Sequence, residues 1–440
     1  MKRRDFLRLS ATASGMMLCG GVRLAQAQQA FSGAHWLLIE ANGGWDPTSF
    51  CDPKGFGLGV NGDINNYDQA DIGQAGNIRF APPPDSFASS SLFSNADFFN
   101  AHFERLVVVN GINHGTNSHT VGRTASWTGT RVREYPSIGP MVAWGNNPEL
   151  SLPFVASQSR ESSKTLGIVP RALLSNGNQN AIREIASPNL VNTNRSDQYH
   201  SNSARALIDA AANARRARQL ANQRLARLQN ALGEHNAARN RDVNTLRSFV
   251  TELDNVAAPN SYVQSRTQAR SLFNQAQTAF AGFESGAAAT AQIGIGGFDT
   301  HDDHDARHYP RLMDYLAGVD NIISDAQARG IADNLIIVMG SDFGRTNKYN
   351  NDNGKDHWSH TSMMVWAGPA IMAGNRVVGA TDDLQRSRRI NPTTLEVNDS
   401  GIELSPEYTH QALRRLAGID QDPQVTSAFP LSVSSLPIFA

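Results

Sequence analysis

The chain has 440 residues, with 39 Lys and Arg against 40 Asp and Glu for a formal net charge of -1. A chain of this length can bury one large core with an insertion or split into two domains, and its near-neutral balance excludes nucleic acid or an anionic membrane surface as the principal partner. Cys19 and Cys51 are its 2 cysteines, so no disulfide framework carries the fold and stability has to come from a packed core.

At the N-terminus, Arg3-Arg4-Asp5-Phe6-Leu7-Arg8 precedes an apolar stretch over residues 9–22 and then Ala25-Gln26-Ala27. Paired arginines, an apolar segment too short to span a bilayer and a small-residue cleavage site, in that order, read as a twin-arginine signal peptide cut after Ala27. The expected partner is the twin-arginine export machinery, and the expected location is the periplasm or the exterior. Lipidation at Cys19 is not expected, because bulky Leu18 stands where such sites take a small residue. This export route carries folded proteins, which hints at a cofactor acquired beforehand. No later stretch is long and apolar enough to cross a membrane.

Four apolar runs follow, over residues 35–40, 106–109, 291–295 and 335–339, each ending in Gly, Asp or Asn. Branched runs of this kind read as buried parallel strands that deliver polar residues at their carboxyl ends, where ligands bind in open α/β sheets. Residues 203–254 contain no proline and a single glycine, and apolar Leu225, Leu228, Leu232, Leu246, Phe249, Val250 and Leu253 recur at helical spacing. They read as long helix, bent or reversed near Gly233, with a solvated Arg-bearing face; a second helix is expected over residues 262–283. Long loops are expected over residues 61–91 and 157–199, and an extended surface segment over residues 429–440.

Chemistry-bearing residues cluster after the strands. Phe298-Asp299-Thr300-His301-Asp302-Asp303-His304 mixes carboxylates and imidazoles as a divalent cation requires, or opens a helix with acidic residues in its first turn. Asp342, in Ser341-Asp342-Phe343-Gly344-Arg345-Thr346, is either a ligand or the partner of Arg345 in an ion pair. Lys355-Asp356-His357-Trp358-Ser359-His360 adds two imidazoles. Asp46, after Gly43 and Gly44, is a ligand or a turn residue before Pro47. In the stretch from Asn117 to Gly129, Ser118, His119 and Thr120 can each supply a nucleophile at a helix N-terminus, with Arg123 one turn on to hold an anion, or can serve as a helix cap.

The order of these pieces resembles the secreted domain-of-unknown-function family 1501, placed within the alkaline phosphatase and sulfatase superfamily. The matching pieces are Gly43-Gly44-Trp45-Asp46, residues 118–129 with Tyr135-Pro136-Ser137-Ile138-Gly139, Phe298-Asp299-Thr300-His301, residues 341–346 and Asp356-His357-Trp358. The resemblance implies an α/β fold of the alkaline phosphatase type, a mainly parallel sheet flanked by helices, with a long helical insertion. It further implies one or two divalent ions of zinc, calcium, magnesium or manganese, held by Asp46, Asp299, Asp342, His301 or His304, and His357. The run from His119 to Gly129 is similar to the sulfatase run whose nucleophilic cysteine is followed four positions later by arginine. Here His119 stands for the cysteine and Arg123 for that arginine. Phe343 stands where alkaline phosphatases carry a histidine after the aspartate, so a single-ion site or a histidine nucleophile is as consistent as a two-ion site.

The expected organisation is therefore a signal over residues 1–27, an α/β domain in two parts over 28–200 and 287–440, and a helical insertion over 201–286. The expected function is a metal-dependent hydrolase acting on a small anionic phosphate or sulfate ester. The alternative is an exported, non-catalytic binding or assembly protein that keeps the fold.

Overall fold

A computed structural model describes Phe31 and residues 33–440, apart from 58–63, 133, 147–149, 158–167, 170, 174–179, 188, 192–196, 230–231 and 234–242. The chain divides into Met1–Ser32 and a compact unit, Gly33–Ala440, whose architecture follows. The signal peptide expected over residues 1–27, including Cys19, falls outside the described residues.

The core is an eight-stranded sheet. In chain order its strands are β1 (His35–Asn42), β2 (Leu106–Asn113), β3 (Phe154–Ala156), β4 (Arg171–Leu173), β5 (Thr290–Gly296), β6 (Leu335–Ser341), β7 (His360–Ala367) and β8 (Arg376–Val378). Their spatial order is β8-β2-β7-β6-β1-β5-β3-β4. All pair in parallel except β7, which runs antiparallel between β2 and β6. The four expected strands are present, each longer than its apolar run, and β1 lies in the middle of the sheet. The fold is thus the mainly parallel α/β sheet that the alternation of apolar runs predicts. β7 was not anticipated. Its residues draw attention for their histidines, and Thr361-Ser362 dilutes the apolar run.

Each face of the sheet is covered, so β1 is buried on both sides. Leu37, Ile39 and Ala41 join one core with the helices Thr267–Glu284 and His304–Ala328, while Trp36 and Leu38 join the other with His119–Thr128, Ile138–Asn146 and Pro406–Leu416. A fully buried Leu or Ile contributes about 1.5–3 kcal/mol, which explains the unbroken apolar run Trp36–Ile39 between His35 and Glu40. Parallel strands buried on both faces have no solvent side, hence a continuous rather than alternating apolar run.

The helical region divides. Asn202–Asn222 has no buried residue, and Leu225 and Leu228 beyond it are 63% and 46% exposed, whereas Leu246, Phe249 and Leu253 of Val243–Asp254 enter the core. Thr267–Glu284 falls within the stretch expected as an insertion, yet twelve of its residues are buried, and it packs between β5 and the helix His304–Ala328. The bend or reversal expected near Gly233 adjoins residues outside the described set. The C-terminal tail is a correction of place: Leu436, Ile438 and Phe439 are buried in the second core rather than laid on the surface. Part of the stretch read as a loop over 61–91 forms a small hairpin, Gly73–Ala75 with Ile78–Phe80, whose Ile78 and Phe80 reach the first core.

Three histidines buried in this framework set an acid limit. Burial, opposed by a backbone hydrogen bond in each case and at His114 by the Asp342 charge too, lowers His35 and His114 to about 4 and His410 to about 3, from an ordinary 6.5. Unfolding lets all three take up protons in that window. Their contribution is complete above about pH 6.5 and is lost as pH falls toward 4, at about 1.4 kcal/mol per pH unit per histidine. The urea midpoint is therefore expected to be flat from pH 8 to 7 and to fall steeply from 6.5 to 4.5. An unchanged midpoint at pH 5 would remove this account.

Candidate functional site

The carboxyl ends of β1, β5 and β6 lie side by side, so the segments after them meet. Gly43 and Gly44, with φ of 121° and 86°, turn the chain sharply after β1. A Cβ on Gly43 would lie 2.6 Å from the Asp299 backbone nitrogen, so only glycine lets the two loops close on each other. The helix His119–Thr128 approaches from above. Gly122 brings it against the carbonyl of Asp342, where a Cβ would come within 2.4 Å. A two-strand ribbon, Gly344–Arg345 with His357–Trp358, sets His357 opposite Arg345 and brings both to Asp299.

Asp299 is the centre of the arrangement. Its Oδ1 lies 2.8 Å from Arg345 Nη2, 3.0 Å from His301 Nε2 and 3.1 Å from His357 Nε2, and its Oδ2 lies 3.2 Å from His119 Nε2. The hydrogen bonds on the far side of each ring fix what these nitrogens present. His357 Nδ1 donates to the Asn117 carbonyl at 2.8 Å, and His301 Nδ1 donates to Asp356 Oδ1 at 2.9 Å. In the neutral rings both Nε2 atoms are then lone pairs, and they stand 2.9 Å apart. His119 Nδ1 donates to Asp342 Oδ2 at 2.7 Å, which turns a third lone pair, the buried and unpartnered Nε2, toward Asp299. Lone pairs facing one another at such separations repel unless a proton or a cation lies between them.

The charge balance agrees with this. Burial opposes ionisation of Asp299, but the hydrogen bond and the positive charge of Arg345 hold its carboxyl well below the usual carboxylate range. Burial lowers His357, and the Arg345 charge adds to this, keeping the ring neutral near pH 7. His119, Asp299 and His357 offer ligand atoms within 4.8 Å of one another. A tetrahedral ion with ligands about 2.05 Å away requires ligand atoms about 3.3 Å apart, close to the 2.9–3.2 Å separations found here. The residues present therefore fit a divalent cation. The centre is also reachable, since the Asp299 and His301 side chains are 45% and 46% exposed.

Asp342 stands behind His119 rather than among the atoms that face Asp299. It is fully buried, and its Oδ2 is shared by His119 Nδ1 and, at 3.3 Å, Arg123 Nη2, while its Oδ1 has no hydrogen-bond partner. Arg123 also donates from Nε to Glu40 Oε1 at 2.8 Å, so its guanidinium serves two buried carboxylates at once. Arg345 does not pair with Asp342. It is fully buried and donates to the carbonyls of Gly43, Gly44 and Lys355 as well as to Asp299.

A second, fully enclosed group surrounds Asp46. Lys355 Nζ lies 2.6 Å from Asp46 Oδ2, His304 Nε2 is 3.2 Å from the same atom, and neither partner is more than 1% exposed. Thr48 donates to Oδ1 from its backbone and its hydroxyl, and Ser49 donates to Oδ2. Burial raises the Asp46 carboxyl, but the Lys355 charge and the His304 contact outweigh it and hold it well below the usual range.

The structure thus brings Asp299, His301, His357 and His119 together, places Asp342 one bond behind them and Arg123 behind Asp342, and sets Asp46 and His304 apart in the second group. Ser118 is exposed beside His119 at the start of the helix, where its side chain makes no capping bond, and Thr120 follows on the first turn. His114 lies beneath Asp342, donating to its carbonyl at 2.7 Å, and His360 faces Glu403 at 3.7 Å away from the centre. Lys355, Glu40 and Asp356 were not singled out from the sequence. A lysine in a polar loop and a glutamate inside an apolar run carry no spacing signal that marks them as paired.

In layout the chain is similar to a sulfatase from Pseudoalteromonas sp., with 9% identity over 88% of this chain and 68% of the other at a TM-score of 0.37. It is also similar to alkaline phosphatase from the Antarctic bacterium TAB5, with 11% identity over 76% of this chain and 91% of the other at a TM-score of 0.30. No curated protein matches it by sequence. Residues 38–400 match the family described as protein of unknown function DUF1501, so they span all four strand-end segments that build the site, and the chain belongs to that family.

Proposed function

We propose that this protein is an exported metal-dependent hydrolase of phosphate or sulfate esters, with Asp299, His119, His301 and His357 holding one divalent ion. The observation that carries this reading is the set of imidazole lone pairs turned on one ionised carboxylate, each fixed by a hydrogen bond on the opposite ring nitrogen. Three nitrogens and one carboxylate favour zinc over calcium, magnesium and manganese, which prefer oxygen ligands.

Bound there, the ion would supply polarisation of an ester oxygen and offset negative charge. The chain's own residues do the rest. Asp342 orients His119 and keeps its proton on Nδ1, as carboxylates behind metal-binding histidines do. Arg123 pairs with Asp342 and Glu40, and Arg345 with Asp299, so each of these carboxylates faces a guanidinium. Ser118, His119 and Thr120 are the candidate nucleophiles. His119 Nε2, aimed at the centre, can attack only if it leaves the ion it is proposed to hold, so Ser118, the exposed one, and Thr120 are the candidates compatible with that ligand set.

The test is a screen of chromogenic phosphate and sulfate esters with zinc, manganese, calcium or magnesium. Turnover is expected with at least one ester, abolished by chelation and restored by zinc. No turnover on any ester, by protein that carries its ion, would favour the second reading, an exported docking protein. The helix Asn202–Asn222, which buries none of its residues, supports that reading.

A further inference from the structure

The enclosed group around Asp46 bears on how many ions this centre takes. Asp46 Oδ1 accepts from Thr48 N at 3.0 Å and Thr48 Oγ1 at 2.6 Å, and Oδ2 accepts from Ser49 Oγ at 3.2 Å and Lys355 Nζ at 2.6 Å. A carboxylate has about four lone-pair sites, and these four donors fill them. Lys355 Nζ also donates to Asn65 Oδ1 at 2.8 Å, with the Tyr349 ring 5.1 Å away.

The imidazoles in this group are turned the opposite way from those at Asp299. The Asp46 backbone N–H donates to His308 Nε2 at 3.0 Å, which puts the His308 proton on Nδ1, facing Thr300 Oγ1 at 3.4 Å. The Thr300 hydroxyl then donates to His304 Nδ1 at 2.9 Å. His304 therefore carries its proton on Nε2, the atom that faces Asp46 at 3.2 Å. An N–H turned toward a carboxylate offers no lone pair to a metal. Burial lowers both rings, which agrees with their being neutral.

We propose that the Lys355 ammonium is a built-in cation held by Asp46 and Asn65, so that this chain takes a single divalent ion at Asp299 and none at Asp46 and His304. This rests on the metal reading of the Asp299 centre. It assigns Asp46 and His304, both expected from the sequence as metal ligands, to holding a lysine instead. A divalent ion added there would place its charge against an ammonium already 2.6 Å from the same oxygen.

The experiment is metal counting. Chelator-stripped protein is dialysed against excess zinc and, separately, manganese, and bound metal is measured by elemental analysis. One equivalent per chain is expected, and it should remain one in His304→Gln, which leaves the Asp46–Lys355 pair in place. It should also remain one in the paired variant Asp46→Asn/Lys355→Met, with zinc affinity within about threefold of wild type, a change of about 0.65 kcal/mol. Two equivalents on the wild type would overturn this proposal alone, as would loss of the single equivalent in His304→Gln. No metal on the wild type would overturn the Asp299 reading and this proposal with it. The count on wild type and His304→Gln decides the matter even where the paired variant does not fold.

Discussion

Asp299→Asn is expected to strip the protein of its divalent ion and to abolish ester hydrolysis. The substitution keeps the side chain's size but removes the charge on which His119, His301, His357 and Arg345 converge. Changes to groups that merely support metal ligands cost about 10–100-fold in affinity, so loss of the central ligand should cost at least about 100-fold in zinc binding. The chain should still fold, because Arg345 keeps three backbone carbonyls as acceptors. Zinc content after dialysis and a thermal melt, measured on the same sample, separate loss of the site from loss of the fold. A folded variant that retains a full equivalent of zinc would end the metal reading.

The largest effect on stability is expected at Asp46. Removing one partner of a buried ion pair leaves the other charge uncompensated, at a cost of about 3–5 kcal/mol, and here both partners are fully buried. Asp46→Ala should therefore lower the urea midpoint sharply. Adding Lys355→Met, which removes the stranded ammonium, should recover most of the loss. The pair also has its own pH signature. With its folded value held low, Asp46 adds stability that is complete above about pH 4 and is lost only as pH falls further toward that value. That window lies below the one in which His35, His114 and His410 act. A single Asp46→Ala variant as stable as the wild type would show that the pair does not support the fold.

Much of the site was legible because the strand ends were. An apolar run followed by Gly, Asp or Asn marks both a buried strand and the polar residues at its tip, and Asp46, Asp299 and Asp342 were found that way. The segment from Asn117 to Gly129 was legible as a helix entrance, and His119 is its first helical residue. Roles were harder to read than places. Sequence spacing puts His301 and His304 three residues apart in one cluster, yet the turn before the helix His304–Ala328 sends His301 to Asp299 and His304 to Asp46. An ion pair with Arg345 was one of two roles open to Asp342, because the two are neighbours in sequence. The ribbon Gly344–Arg345 points that arginine instead at Asp299.

By itself the sequence determined the parallel α/β architecture, through apolar runs that only a doubly covered sheet can bury. It also determined which loops carry carboxylates and imidazoles, through the residues that end those runs. Tertiary structure alone decided which of these groups face one another. Partners such as Lys355 and Asp46, or His119 and Asp342, lie 309 and 223 residues apart. Their pairing depends on the order in which strands sit in the sheet and on a close approach of a few ångströms at Gly43 and Gly122, which no local pattern of residues encodes.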